Sequence, residues 1–213
     1  MSRGAAAMET LTGPDSPHWA PFLALYHQAF PAVEREPDEL VAARTEAGRY
    51  RLRVSLDGAG AVTGCYVVDR VPEKGYALLC YVAVQPRWRR SGVGRRLCAD
   101  AVEWFNEEAP APLLLVEAKP RAARLYRRSG FARLKLDYRV PHIDAPGVEP
   151  MELLALPAAD GTAAIDADSL ARIIRHLFVD GYLVPVDDKR LQSQLARIPA
   201  QTRIEHAPVP AAG

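Results

Sequence analysis

A turn rich in glycine and arginine separates an apolar, strand-like run from an amphipathic segment. Gly92 and Gly94 allow the backbone to approach a ligand closely, while Arg89, Arg90 and Arg95 add positive charge. When such a turn opens a helix, the first amide N–H groups lack helical partners at the positive end of the helix dipole. The segment therefore predicts a pyrophosphate-binding turn.

The spacing of this turn disfavours two common phosphate-binding motifs. No Gly-Lys-Ser/Thr follows it, as a Walker loop needs, and no third glycine stands three residues beyond Gly94, as the dinucleotide fingerprint needs. The turn instead resembles the Q/R-x-x-G-x-G/A signature of the GNAT N-acetyltransferases, with Arg89, Gly92 and Gly94 at the three fixed positions. In that family the turn binds the pyrophosphate of coenzyme A, so the resemblance implies acetyl-CoA as the cofactor.

A second landmark of the family lies downstream, where an A-x-x-L-Y-like stretch runs from Ala122 to Tyr126 and is followed by Gly130-Phe131. The resemblance implies that Tyr126 faces the thioester sulfur as the general acid. A phenol with a pKa of about 10 is a weaker acid than a thiol at about 8.5, so full proton transfer is uphill by roughly 2 kcal/mol. We therefore expect Tyr126 to act mainly through a hydrogen bond to the leaving thiolate. Lys119 stands where family members commonly have an asparagine that caps this helix and can touch the cofactor, so the cap must come from elsewhere.

The family also binds pantetheine beside the end of its central strand, through backbone groups that match Val82 and Val84. Their amides could polarise the thioester carbonyl. The cofactor-binding residues that the resemblance implies are Val82, Ala83, Val84, Arg89, Arg90, Ser91, Gly92, Val93, Gly94, Arg95 and Tyr126.

The general base is left open by the sequence. Some family members use a glutamate on the central strand, but Leu78 occupies that position here. Glu117 ranks first because strand ends in open α/β sheets face the ligand crevice. The other candidates, which could act directly or through water, are Tyr81, Glu34 or Glu36, and His142. Glu34, Tyr81 and His142 are also expected to bind the acceptor.

Periodicity along the chain predicts the elements that position these residues. Alternating or apolar runs predict strands at residues 8–12, 51–56, 62–71, 76–84, 113–116, 131–140 and 151–156. Caps and helical spacing predict helices from Ser16-Pro17 to Phe30, over 38–47, after Gly92 and over 120–129. The expected fold is α/β and GNAT-like: a mixed, mostly antiparallel central sheet flanked by helices, with a C-terminal helical extension.

Residues 1–157 are expected to form the acyltransferase domain, and residues 158–213 a linker, a helical extension and a disordered tail from Pro199. Leu170, Ile173, Ile174, Leu177 and Phe178 keep helical spacing in this extension. That apolar stripe must cover either the chain's own surface or a second copy in a homodimer. Residues 189–197 are predicted to form a further helix.

Composition narrows the function classes. The 213 residues are 49% hydrophobic and 25% charged with a net charge of +1, which disfavours binding to nucleic acid or an anionic membrane through the overall field. A nucleic-acid binder using the arginines around Trp88 has no readable motif to support it. The three cysteines lack metal-ligand spacing, so we expect no metal site.

No apolar run has the length of a transmembrane helix or of a secretory signal, so a cytoplasmic protein is expected. The leading function is transfer of an acetyl or short acyl group to the primary amine of a small molecule. Acetylation of a protein lysine or N-terminus, or a non-catalytic acyl-CoA-binding module, are the alternatives.

Overall fold

The computed structural model describes residues 7–109, 111–158 and 164–205. The chain divides into two compact units, Met1–Ala111 and Pro112–Gly213. The strand pairs described within each unit are antiparallel, and helices flank them. The predicted mixed α/β class with a mostly antiparallel sheet is confirmed.

Among its described residues, unit 1 (Met1–Ala111) carries four strands and three α-helices. The strands, in sheet order, are β1 (Met8–Leu11), β2 (Tyr50–Leu56), β3 (Val62–Val71) and β4 (Tyr76–Val84). The helices are α1 (Trp19–Ala29), α2 (Asp38–Glu46) and α3 (Val93–Glu108). α1 begins later than predicted because Ser16 does not cap it: its Oγ accepts the His18 amide at 3.2 Å within a preceding turn.

Helix α3 is held against the strands of unit 1 by one carboxylate and one glycine. Asp100 accepts a hydrogen bond from the Tyr66 hydroxyl at 2.6 Å and pairs with Arg53 at 3.3 Å. Gly64 on β3 leaves room for the first turns of α3, because a Cβ atom there would lie 2.9 Å from side-chain carbons of Val93 and Leu97. The start of α3 is thus fixed by close packing on β3.

Replacing Gly64 by alanine is expected to lower the free energy of unfolding by about 1–3 kcal/mol, because the new methyl group overpacks this contact. The Cβ would also lie 2.9 Å from the carbonyl oxygen of Ala83, which belongs to the backbone and cannot rotate away. Urea denaturation measures the change. Gly58→Ala is the matched control, since a Cβ there meets no atom within 4 Å; equal stability of the two variants would refute the packing role.

The part of unit 2 (Pro112–Gly213) that the structure describes carries six strands and three α-helices. The strands are β5 (Leu113–Ala118), β6 (Ala132–Leu134), β7 (Tyr138–Pro141), β8 (Val148–Pro157), β9 (Ala164–Asp166) and β10 (Gln201–Glu205). The helices are α4 (Pro120–Arg127), α5 (Ala167–His176) and α6 (Lys189–Leu195), with a π-helical turn at Leu177–Gly181 after α5. β8 pairs with three strands of this unit, β5, β6 and β7.

The single strand predicted over 131–140 is divided into β6 and β7, which pair with different parts of β8. The break follows Leu134, whose carbonyl accepts the amide of Leu136 at 2.9 Å in a tight turn. β8 itself is longer than the predicted hairpin partner, since it begins at Val148.

The C-terminal segment differs most from expectation. Residues 201–205, expected to be disordered, form β10, which pairs with β6 and β9. Thr202 and Ile204 alternate into the interior of the unit, and this burial stabilises a strand that local composition does not predict. The remainder of the predicted tail, residues 206–213, and residues 159–163 of the predicted linker lie outside the described residues.

The apolar stripe of the C-terminal extension is covered by its own unit. Its five residues are each 4% exposed or less: Leu170, Ile173, Ile174, Leu177 and Phe178. α5 packs on β9, β10 and α6, which supplies the cover. The homodimer stays a prediction, and this stripe no longer argues for it.

Candidate active site

The strand-to-helix turn predicted from the sequence is present in unit 1. β4 ends at Val84, a 3-10 turn spans Pro86–Trp88, and α3 begins at Val93. Gly92, the residue before the helix, has φ 92° in the left-handed region, which a side chain disfavours. Arg90 also has a positive φ of 64°, and such non-glycine conformations cluster at functional sites.

The amides at the start of α3 are donors without helical acceptors. Arg96 donates the first bond of the helix to the Gly92 carbonyl at 3.1 Å, so the amides of Gly92, Val93, Gly94 and Arg95 precede it. They lie at the positive end of a helix of 16 residues. A Cβ atom built on Gly92 would meet no atom of the described chain within 4 Å, so a ligand can approach the backbone there.

The side chains around the turn add charge of the same sign. Arg89, Arg90 and Arg95 are exposed. Ser91 caps the turn internally, because its hydroxyl donates to the Trp88 carbonyl at 2.6 Å. The indole N–H of Trp88 is buried without a hydrogen-bond partner among the described residues. Donors, open backbone and arginines fit a diphosphate such as that of coenzyme A.

The last residues of β4 follow a β-bulge. The register of β4 against β3 shifts between Val67 and Val68, which leaves Cys80 as an extra residue on β4. A bulge increases twist and changes the direction of the residues beyond it. Val82 and Val84, predicted to contact the cofactor through their backbone, lie beyond the bulge and are partly exposed, while Ala83 is buried.

Glu36, one of the candidate bases, is an anchor of the loop between α1 and α2. Its carboxylate is buried, 3% exposed as a residue, and accepts hydrogen bonds from Arg44 at 2.6 Å and from the Tyr50 hydroxyl at 2.7 Å. Its backbone carbonyl accepts a bond from the Tyr26 hydroxyl at 3.3 Å. Since both carboxylate oxygens are engaged by buried partners, Glu36 holds the loop in place.

Tyr81 belongs to the same buried cluster. Its hydroxyl accepts the Glu36 amide at 3.2 Å, and its ring packs edge-on against Tyr26 and Phe30. Burial, followed by the charge of Glu36, raises the pKa of Tyr81 well above its usual value. Glu34 lies in the short 3-10 turn of the same loop and is partly exposed. Tyr81 of β4 thus contacts, through Glu36, the loop that carries Glu34.

Tyr126 and His142 occupy separate places in unit 2. Tyr126 lies on α4, is 8% exposed, and packs edge-on against Phe131 with 6.0 Å between ring centroids. The Gly130-Phe131 step closes α4, because the Phe131 amide donates back to the Tyr126 carbonyl at 3.2 Å. His142 follows β7 on a loop, where its Nδ1 donates to the Pro146 carbonyl at 3.2 Å.

Glu117 lies in unit 2, where burial perturbs its carboxyl group. It lies next to the last residue of β5, and each of its oxygens accepts one tyrosine hydroxyl: Tyr138 at 2.5 Å and Tyr182 at 3.2 Å. Burial raises its pKa from the ordinary value of 4.5 to about 7, although the two hydrogen bonds act in the opposite direction. The side chain stays partly exposed. Near neutral pH it can therefore accept or release a proton.

Tyr138 and Tyr182 are not predicted from the sequence as hydrogen-bond partners of this carboxyl group. They lie 21 and 65 residues from Glu117, in a separate strand and in the turn after the π-helical segment. No local motif carries that information, since strand pairing and helix docking bring the three residues together.

The mostly antiparallel α/β fold and the strand-to-helix turn before α3 agree with the GNAT-like fold expected from the sequence. Residues 49–133 match a family model described as an acetyltransferase (GNAT) domain. Over these residues the chain is similar to the GNAT acetyltransferases. No curated protein matches the sequence.

Solved structures with the same fold come from several bacteria. A protein of Bacteroides thetaiotaomicron assigned to the GNAT acetyltransferases has a TM-score of 0.64 and 22% identity, over 84% of this chain and 99% of that one. A phosphinothricin acetyltransferase of Sinorhizobium meliloti, in complex with AcCoA, has a TM-score of 0.57 and 19% identity, over 74% and 91%. The ribosomal-protein-S18-alanine N-acetyltransferase of Escherichia coli has a TM-score of 0.56 and 20% identity, over 74% of this chain and 97% of that one.

At these identities the likeness establishes the fold. Within the described residues, no helix combines the length and apolar character that a membrane crossing requires.

Proposed function

We propose that this chain is an acyl-CoA-dependent N-acyltransferase that moves an acetyl or short acyl group to the primary amine of a small molecule by direct attack. The start of α3 supports an acyl-CoA as the acyl donor. There, amides without helical acceptors follow a left-handed Gly92 among exposed arginines. Arg89, Arg90, Ser91 and the amides of residues 92–95 would hold the pyrophosphate. A cytoplasmic location stays a prediction.

The acceptor half of the reaction needs a proton acceptor. A free alkylamine with a pKa of about 10 is mostly protonated at pH 7 and cannot attack a carbonyl in that form. We assign this role to Glu117, because its pKa of about 7 suits a general base that works near neutral pH.

Bound acetyl-CoA supplies an activated acyl group as a thioester. The backbone amides of Val82 and Val84 are assigned to polarise its carbonyl, and Tyr126 to donate a hydrogen bond to the sulfur as the C–S bond breaks. The new C–N bond forms at the amine, whose proton passes to Glu117. Glu34, Tyr81 and His142 stay predictions for contacts with the acceptor.

Two kinds of acceptor are represented among proteins of this fold. One neighbour is named for phosphinothricin, a small molecule, and another for the alanine of ribosomal protein S18. We place a small-molecule amine first and a protein amine second. Acetyl-CoA consumption measured against a panel of small amines, and in parallel against peptides with free N-termini or lysines, distinguishes them. If CoA binds and no amine is consumed, the chain is an acyl-CoA-binding module.

Tyr126→Phe is expected to lower turnover roughly 10- to 100-fold, towards the lower part of the range for general acids because a thiolate is a good leaving group. The ring and its contact with Phe131 are retained, so the affinity for CoA should change little. Calorimetry of CoA binding and steady-state kinetics measure the two effects separately. Unchanged turnover would remove the assigned role of the hydroxyl.

A further inference from the structure

A tyrosine of the C-terminal segment contacts the carboxyl group to which we assign the base. The Tyr182 hydroxyl donates to Oε2 of Glu117 at 3.2 Å, while Tyr138 occupies Oε1 at 2.5 Å. Both tyrosines lie beyond residues 49–133, the part that matches the GNAT family model. The hydrogen bonds that orient Glu117 are therefore supplied by the part of the chain outside that match.

The backbone around Tyr182 departs from regular geometry on both sides. Before it, α5 widens into the π-helical turn Leu177–Gly181, and the Tyr182 amide donates to the Leu177 carbonyl at 3.0 Å across five residues. After it, Leu183 has a positive φ of 56°. Single π-turns and left-handed non-glycine residues are costly and concentrate where a side chain must be aimed. Here they flank the residue that contacts Glu117.

Phe178 fixes the rings of both tyrosines. It is fully buried, with 0% exposure, and packs edge-on against Tyr138 and Tyr182, with ring centroids 6.5 Å and 5.9 Å away. Phe178 thus packs against both tyrosines whose hydroxyls donate to the Glu117 carboxylate. These contacts restrict the orientation of the carboxylate.

The charged groups near these elements are paired with one another. Lys119 beside β5 pairs with Glu149 of β8 at 3.1 Å, Arg127 of α4 pairs with Glu152 of β8, and His176 of α5 lies 3.9 Å from Asp180. Across the ladder, Leu153 of β8 faces Glu117. The Tyr138 and Tyr182 hydroxyls donate hydrogen bonds to this carboxyl group, and these bonds favour its anionic form.

We propose that Tyr182 is a positioning residue for Glu117, so that the C-terminal segment 164–205 completes the general base of the acyl-transfer site. The inference rests on the proposed function, since it takes Glu117 as the base. Tyr182 touches the carboxylate and not the reacting atoms. It keeps Glu117 oriented and ionised at neutral pH.

Tyr182→Phe is expected to raise the pKa of Glu117 by about one unit, because the ring and its burial stay while a donor to the anion is lost. A ¹³C NMR titration of the Glu117 carboxyl group in the cofactor-free protein measures this directly. In kinetics, the acidic limb of the kcat/KM profile should move up by the same amount. Activity should fall about fivefold at pH 7 and recover at pH 9.

Three further variants complete the test. Tyr138→Phe should raise the Glu117 pKa more than Tyr182→Phe does, because its hydrogen bond is shorter and has the larger effect on that pKa. Tyr66→Phe removes a tyrosine–carboxylate bond of the same kind, to Asp100 in unit 1, and should leave the Glu117 titration in place. In a Glu117→Gln background, adding Tyr182→Phe should cause no further loss of turnover.

The outcomes separate the two proposals. A slow Glu117→Gln variant together with an unchanged NMR midpoint and acidic limb in Tyr182→Phe would overturn the role of Tyr182 and leave the base in place. Glu117→Gln with wild-type turnover would overturn the base, and with it the functional meaning of a shifted NMR midpoint. An additional loss from Tyr182→Phe in the Glu117→Gln background would show that the tyrosine acts elsewhere.

Discussion

Gly92→Glu is expected to abolish the protection that coenzyme A gives against thermal unfolding. At a ligand concentration of 100 times Kd, the wild-type protein should gain about 2.7 kcal/mol of stability. A carboxylate on Gly92 extends into the open space beside the amides of α3 and repels a diphosphate. If Kd rises 100-fold, the gain at the same concentration falls to about 0.4 kcal/mol, which a thermal melt with and without CoA resolves.

Gly75→Glu is the matched control for this variant. Gly75 has φ 78°, close to the 92° of Gly92, and a Cβ atom there also meets nothing within 4 Å. It caps the turn at the opposite end of the β3–β4 hairpin from Val84. Both variants therefore carry the same backbone strain and the same added charge. Loss of CoA protection in both, or in neither, would contradict the assignment of the turn.

The strand-to-helix turn could be predicted from the sequence because its information is local. The bounds of β3 and β4, the start of α3 and the glycine pair all lie within about 35 consecutive residues. Strand alternation, helical spacing and the backbone freedom of Gly92 each act over a few positions. A short window of sequence therefore specifies the turn.

The environment of Glu117 could not be predicted in this way. Position at a strand end pointed to this residue, but the carboxyl group owes its pKa to burial beneath residues that are distant in sequence. The same holds for Glu36, which sits on an apparent surface loop and is buried by Arg44 and Tyr50. β10 likewise pairs with β6 and β9, which are distant from it in sequence. Burial and charge are tertiary quantities, and the environment of Glu117 depends on them.

Glu117→Gln is expected to lower turnover by about 100- to 10,000-fold at pH 8, the range of general acid–base contributions. Glutamine keeps the size and can accept a tyrosine hydroxyl, but it cannot take up the amine proton. In the wild-type protein the rate should rise with pH through about 7, since the carboxylate is the active form. That limb should vanish in the variant. A flat wild-type profile between pH 5.5 and 8 would exclude Glu117 as the base.

The same variant, Glu117→Gln, should lose activity at pH 8 but gain stability there. Because the pKa of Glu117 is raised from 4.5 to about 7 on folding, the folded state binds its proton more tightly. This contribution is fully present below pH 4.5 and is lost as pH rises through 7, so the ionised carboxylate destabilises the fold at pH 8. After allowance for its partial exposure, the loss is on the order of 2 kcal/mol.

Glu117→Gln should therefore unfold at a higher temperature than wild type at pH 8, and the two should converge towards pH 5. Paired melts at the two pH values measure the difference, with Glu34→Gln, in the short 3-10 turn of unit 1, as a control. A carboxyl group that only supported the fold would lose stability on amidation at every pH. Gain of stability with loss of turnover is instead the pattern of a group kept in a costly state for its chemistry.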